Sequence, residues 1–173
     1  MQRIRRGGRY LRVADPGWED PLDGSYAELQ GGRWNPPGAY PVVYLNASVA
    51  VARANALLNL AGQPYGPEDL NPDTAPILVE TTVPDGDYLD AVTKAGLQVL
   101  GLPATYPRQS DGTVVGHSVC QPIGKSARDA GLPGVACLSA APKAPTGGEE
   151  VAWFQGPEPL TVTNRVAFVD WFW

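Results

Sequence analysis

The chain has 173 residues, with 18 acidic against 13 basic side chains, a net charge of −5 and a sequence pI near 4.8, so one domain fits its length and a whole surface built for nucleic acid does not. It is 43% apolar and 18% charged, with 20 Gly and 18 Pro in no periodic pattern, which excludes disordered and collagen-like chains and points to a loop-rich α+β fold. Cys120 and Cys137 form no CxxC and there is one histidine, so no metal is implied, and without a signal-peptide apolar stretch or a membrane-length run a soluble, cytoplasmic protein with reduced thiols is expected.

Residues 1–12 hold five arginines (Arg3, Arg5, Arg6, Arg9 and Arg12) and no acid, which leaves eight basic against 18 acidic residues, −10, for the rest. Residues 1–8 read as a solvated basic tail and 9–173 as the domain. Residues 9–14 alternate as a strand does, and Asp15-Pro16-Gly17 closes it with turn chemistry. A long loop from Trp18 to Tyr40 follows and contains Gly31-Gly32-Arg33-Trp34-Asn35-Pro36-Pro37-Gly38; loops of that length in a compact domain tend to carry function. Pro41 to Asn46 is a short apolar strand.

Asn46 or Ser48 caps a helix over about residues 48–61, with Val49, Ala52, Ala56 and Leu60 on one buried face and Gly62 ending it. Residues 63–75 are a connection, and 76–83 read as a strand. Asp90 caps a helix of about ten residues ending near Gly101, and 102–116 are loop. A helix runs from His117 to Ala130, begun or kinked at Pro122 and stopped by Gly131. Strands follow at 134–140, 150–154 and 161–171, the last on its β-branched content. Six strands and three helices in one domain, without repeats, are expected.

GxSxG, the P-loop and GxGxxG are all absent. What remains is Arg12 on the first strand, Arg33 in the Gly-Gly loop and Tyr44 on the next strand. Two guanidinium forks from separate elements suit a diphosphate.

The stretch Gly31 to Gly38 followed by Val42-Val43-Tyr44-Leu45 resembles the RES domain family, bacterial toxins of toxin-antitoxin pairs that are similar to ADP-ribosyltransferases and consume NAD. The resemblance extends to Tyr10-Leu11-Arg12-Val13, Gln121-Pro122-Ile123-Gly124 and Gly134 to Ala140. It implies an ADP-ribosyltransferase-like fold, a split mixed β-sheet with short flanking helices. It also implies NAD as substrate, bound by Arg12, Gly32, Arg33 and Tyr44, with the two arginines on phosphate and the Tyr44 ring against nicotinamide. The family's serine falls on Ser139. Its glutamate falls on Asn55, and no acid occurs between Ala47 and Ala61.

That substitution bears on chemistry, because breaking the nicotinamide–ribose bond builds positive charge on the sugar, and a carboxylate stabilises it more in the transition state than in the ground state. A charge pair at about 4 Å in an effective dielectric of about 20 contributes roughly 4 kcal/mol, about a thousandfold in rate. Glu149 and Glu150 at the start of the 150–154 strand, and Glu80 within 76–83, are the acids that stand closest to supplying it. A solvated loop is the alternative reading for the pair, and a solvent-facing position for Glu80. Ser139 also reads as a strand-end serine bonding backbone, and His117 as a helix-start residue.

Two function classes remain. One is an NAD glycohydrolase, phosphorylase or ADP-ribosyltransferase. The other is a cleft that binds NAD, or an antitoxin partner, with little turnover because Asn55 brings no charge. The resemblance implies an Xre-like helix-turn-helix protein as that partner, inserting a chain end into the cleft.

Overall fold

The computed structural model describes all residues, 1–173. Its elements are β1 (Arg3–Ala14), α1 (Ser25–Gln30), β2 (Val42–Asn46), α2 (Val49–Leu60), β3 (Ile77–Ala91), α3 (Lys94–Val99), α4 (His117–Asp129), β4 (Gly134–Leu138), β5 (Glu149–Phe154), β6 (Val162–Val166) and α5 (Phe168–Trp171). The strands form one mixed sheet in the order β1-β2-β5-β4-β3-β6, and β1 also pairs with β3. Only β3 and β4 run parallel. The path β1-β2-β5-β4-β3 therefore returns to β1 and closes a small ring, with a single pairing, Leu11 with Asn46, joining β1 to β2. β3 splits the sheet: its first half carries β6 at Leu78–Thr81 and its second half carries β4 at Leu89–Ala91.

Side chains alternate across these strands, and the alternation sorts the core into three layers. Tyr10, Val43, Val79, Tyr88, Ala136, Val151 and Trp153 fill the ring interior. Val42, Leu89, Val135, Cys137, Ala152 and Phe154 face outward and are covered by Trp34, Leu97 of α3 and Cys120 and Ala127 of α4. Leu11 and Leu78 meet α2 through Ala52 and Ala56, and α5 through Phe168 and Trp171. No helix is long and apolar enough to cross a membrane.

The structure departs from the sequence reading at four places. Residues 3–8 are strand and not a tail: Arg3–Arg6 pair with Gly86–Leu89, and the register shifts between Arg6 and Gly8, where Gly8 takes φ 87°. The extra residue lies on the partner, where Pro84 and Asp85 together face Gly7, and such a bulge bends and twists the strand that carries it. That partner, β3, does not stop at Val83 but continues through Pro84-Asp85-Gly86. Pro84 has no N–H to donate, and it lies beside the register shift, where a ladder bond is missing anyway. Asp90 consequently ends a strand. Its carboxylate accepts from the Val92 and Thr93 N–H groups at 3.0 and 2.9 Å, and Thr93 caps a six-residue α3.

The third departure is at the C-terminus, where β-branched content predicts a strand over 161–171. β6 stops at Val166, and Phe168, Trp171 and Phe172 have helical spacing. Phe168 stacks on Phe172 with ring centroids 4.5 Å apart, in the layer under Leu11 and Leu78. Burial of three aromatic rings outweighs the local β propensity of the preceding residues. The loop over 18–40 also contains the short helix α1, which its polar sequence did not reveal.

Candidate functional site

The Gly31–Gly38 segment is folded by contacts that need its small and polar residues. Gly31 ends α1 with φ 75°, and a side chain there would lie 2.8 Å from the Pro37 ring. Gly32 lies flat against Tyr44, where a Cβ would come within 2.4 Å of the phenol oxygen. That oxygen accepts the Trp34 N–H at 2.9 Å and donates to Asn35 Oδ1 at 2.9 Å. Asn35 is fully buried, and its amide donates to the Ala27 carbonyl at 2.6 Å. The Tyr40 hydroxyl donates to the Trp34 carbonyl at 2.8 Å. Helix α4 closes the other side. Gln121 Nε2 donates to the Gly32 carbonyl at 3.0 Å, and Gly124 is so close to Trp34 that a Cβ would sit 1.9 Å from its carbonyl oxygen. The loop is a rigid shelf between β2 and α4.

Beside that shelf lies a cavity of about 370 Å³, within the range of small-molecule sites. Arg12, Gly32, Arg33, Tyr44, Asn55 and Glu150 all line it. The three residues first singled out, from β1, the shelf and β2, therefore share one hollow. Arg33 donates Nη1 to the Val115 carbonyl at 2.9 Å. Arg12 donates Nη1 to the Asp23 carbonyl at 3.1 Å and stacks over Trp18 at 5.5 Å. Burial lowers the Arg12 pKa while the charges of Asp23 and Asp20 hold it up. An arginine remains a cation under those conditions.

The Tyr44 hydroxyl already has a donor and an acceptor, and burial pushes its pKa above that of a free phenol. The side chain thus offers the cavity its ring, while its oxygen is spent on the shelf. His117 begins α4, and burial, with the Arg33 charge, lowers its pKa.

The acids separate by strand alternation. Glu150 faces the cavity and is the only acidic residue lining it. Glu149, one residue earlier, points to the other face, as a pleated strand requires, and pairs with Arg6 at 2.8 and 3.0 Å. Glu80 pairs with Arg9. Neither Glu149 nor Glu80 lines this cavity. Glu150 Oε1 accepts from Asn55 Nδ2 at 2.7 Å and from Ser139 Oγ at 2.7 Å. Ser139 does not line the cavity and reaches it only through that carboxylate. Asn55 Nδ2 also donates to Asn46 Oδ1 at 2.7 Å, and Asn46 Nδ2 donates to the Leu11 carbonyl at 3.1 Å.

Sequence reasoning missed Asn46, Asn59 and Tyr26, which line the same cavity, and Asn35, which holds its wall. Asn59 follows Asn55 by one helical turn, a spacing that places both on one face of α2. Asparagines at 46, 55 and 59 were the available signal.

The RES domain family model matches residues 3–170. No curated protein matches the chain. Among solved structures, the chain is similar to one in the crystal structure of the M. tuberculosis MbcT-MbcA toxin-antitoxin complex. The two share a TM-score of 0.76 and 23% identity over 98% of this chain and 91% of that one, a likeness of fold.

Proposed function

Because this chain belongs to the RES domain family, we propose that it is a toxin-type protein that binds NAD in the cavity between β1, β2, α2 and the Gly-Gly shelf, and breaks the nicotinamide–ribose bond. The observation that carries this reading is the convergence of Arg12, Arg33 and the Tyr44 ring on one hollow. Two guanidinium groups there match the charge and fork geometry of a diphosphate. The Tyr44 ring, fixed by two hydrogen bonds at its oxygen, gives a flat apolar surface for nicotinamide. Gly32 lets backbone approach the ligand where a side chain would strike the tyrosine. Asn46 and Asn59 supply amide groups for ribose hydroxyls.

Cleavage sends the C–N electron pair to nicotinamide, which leaves neutral, and an oxygen nucleophile closes the sugar. Water, phosphate and a protein side chain are the three acceptor classes, and the mass of the ADP-ribosyl product distinguishes them. The structural neighbour's description as part of a toxin-antitoxin complex supports an antitoxin partner for this chain. An Xre-like helix-turn-helix protein that places an acidic chain end between Arg12 and Arg33 is the form we propose, in the cytoplasm.

The test is release of nicotinamide from NAD by purified protein, with Arg33→Ala as control. Release above that control is expected. NAD bound in calorimetry without release would leave a binding module and reject the enzyme.

A further inference from the structure

We infer that Glu150 is the catalytic carboxylate of this cavity, and that Asn55 and Ser139 are the residues that position it. The inference rests on the cleavage reading above and adds the group that carries its charge chemistry. Three observations support it. Glu150 is the only acid lining the cavity that holds Arg12, Arg33 and the Tyr44 ring. One of its oxygens, Oε1, is held by two donors on separate elements, Asn55 of α2 and Ser139 after β4, both at 2.7 Å. No hydrogen bond within the chain is made by Oε2, and no cation pairs with this carboxylate, in contrast to Glu149 on Arg6 and Glu80 on Arg9.

The chemistry needs this combination. As the glycosidic C–N bond stretches, its electron pair moves onto the pyridinium nitrogen and positive charge grows on ribose C1′ and the ring oxygen. A fixed carboxylate facing that carbon stabilises the charge as it develops and requires no reorganisation. Nicotinamide departs as a neutral molecule, so no proton is needed for its release. Water then forms the new C1′–O bond and gives its proton to solvent, so that NAD and water become ADP-ribose, nicotinamide and a proton. Two donors on Oε1 keep the carboxylate from swinging toward Arg12 or Arg33, where it would compete with the diphosphate.

Asn55 suits this arrangement because it donates. An acid in its place would set two carboxylates side by side, and like charges so close raise the cost of ionising both. The Asn55 amide also bonds Asn46, whose own amide grips the Leu11 carbonyl. The carboxylate is thus tied through two residues, Asn55 and Asn46, to Leu11 of β1, one position before Arg12.

The experiment compares wild type with Glu150→Gln, Ser139→Ala and Glu149→Gln for steady-state nicotinamide release, NAD affinity by calorimetry and thermal melting. Glu150→Gln is expected to lose about a thousandfold in kcat, with NAD affinity within a few-fold of wild type. Ser139→Ala is expected to lower kcat about tenfold with KM unchanged, a split that a merely structural role would not give. Glu149→Gln is expected to retain kcat. A folded Glu150→Gln protein with kcat within a few-fold of wild type overturns the assignment and leaves the cleavage reading intact. Should that variant melt below the assay temperature, an unchanged kcat in Ser139→Ala overturns it instead. Wild type that binds NAD and releases no nicotinamide overturns the cleavage reading itself, and this assignment with it.

Discussion

The Tyr44 phenol donates to the Asn35 carboxamide oxygen at 2.9 Å, across nine residues of chain, and so joins a sheet strand to the shelf that walls the cavity. The same oxygen accepts the Trp34 N–H, which leaves the ring as the part of Tyr44 that a ligand meets. Structure and recognition are divided between two ends of one side chain.

Tyr44→Phe separates them. The variant strands the buried Asn35 oxygen and the Trp34 N–H, a loss of about 1–3 kcal/mol in unfolding free energy, while keeping the apolar surface. Denaturant unfolding should show that drop, and NAD affinity should change by only a few-fold. Tyr44→Ala should lose both. Equal loss of NAD affinity in the two variants would mean that the hydroxyl, not the ring, serves the ligand.

Gly124 gives a second test of the shelf, because two effects oppose each other there. Alanine in a helix interior gains about 1 kcal/mol over glycine in propensity. At Gly124, however, the added Cβ would lie 1.9 Å from the Trp34 carbonyl oxygen, so α4 must shift. Overpacking of this kind costs about 1–3 kcal/mol, and Gln121, three residues earlier, would lose its bond to Gly32. Gly124→Ala is therefore expected to lower the melting temperature and weaken NAD binding together. Gly116→Ala, with only Ser118 Oγ at 3.7 Å, should leave NAD binding unchanged.

The legible parts of this protein were those in which one local pattern agrees with tertiary packing. β2 and α2 were readable because Val43 and Leu45 face the ring interior while Ala52 and Ala56 recur at helical spacing. The Arg3–Gly8 strand was hidden by its charge: it is ordered by ladder bonds to a distant segment and by Arg6 meeting Glu149, and neither leaves a periodic trace. β3 extends past Val83 because a bulge within β3 itself, Pro84 and Asp85 opposite Gly7, absorbs the proline without ending the ladder, and no apolar alternation marks that continuation. In the site, residue types identified Arg12, Arg33 and Tyr44. The geometry alone separated Glu150 from Glu149 and reduced Ser139 to a contact made through a carboxylate.

Arg12 should not tolerate lysine if its fork holds a diphosphate. Lys would keep the charge but lose the planar pair of donors and the stacking on Trp18 at 5.5 Å. Hydrogen bonds to a charged partner contribute about 1.5–3 kcal/mol, so Arg12→Lys should weaken NAD about tenfold or more. Affinity for nicotinamide riboside, which has no diphosphate, should change little. Calorimetry with both ligands checks this, and equal weakening of the two would place Arg12 away from the phosphates.

The buried phenols make the fold sensitive to alkali. Burial pushes the Tyr40 pKa up to about 12, opposed by the Arg128 guanidinium above its ring and aided by Asp129. Burial also raises Tyr44, Tyr88 and Tyr106. Below about pH 10 the folded and unfolded phenols are both protonated, so their stabilisation is fully present. Between about pH 10 and 12 the unfolded chain releases phenol protons that the folded chain keeps, and unfolding free energy falls as pH rises. Urea unfolding at about pH 9 and about pH 11.5 should show this decline. Tyr40→Phe, which gives up the bond to the Trp34 carbonyl, should start less stable and decline less steeply. A decline as steep as that of wild type would show that the Tyr40 proton is not linked to folding.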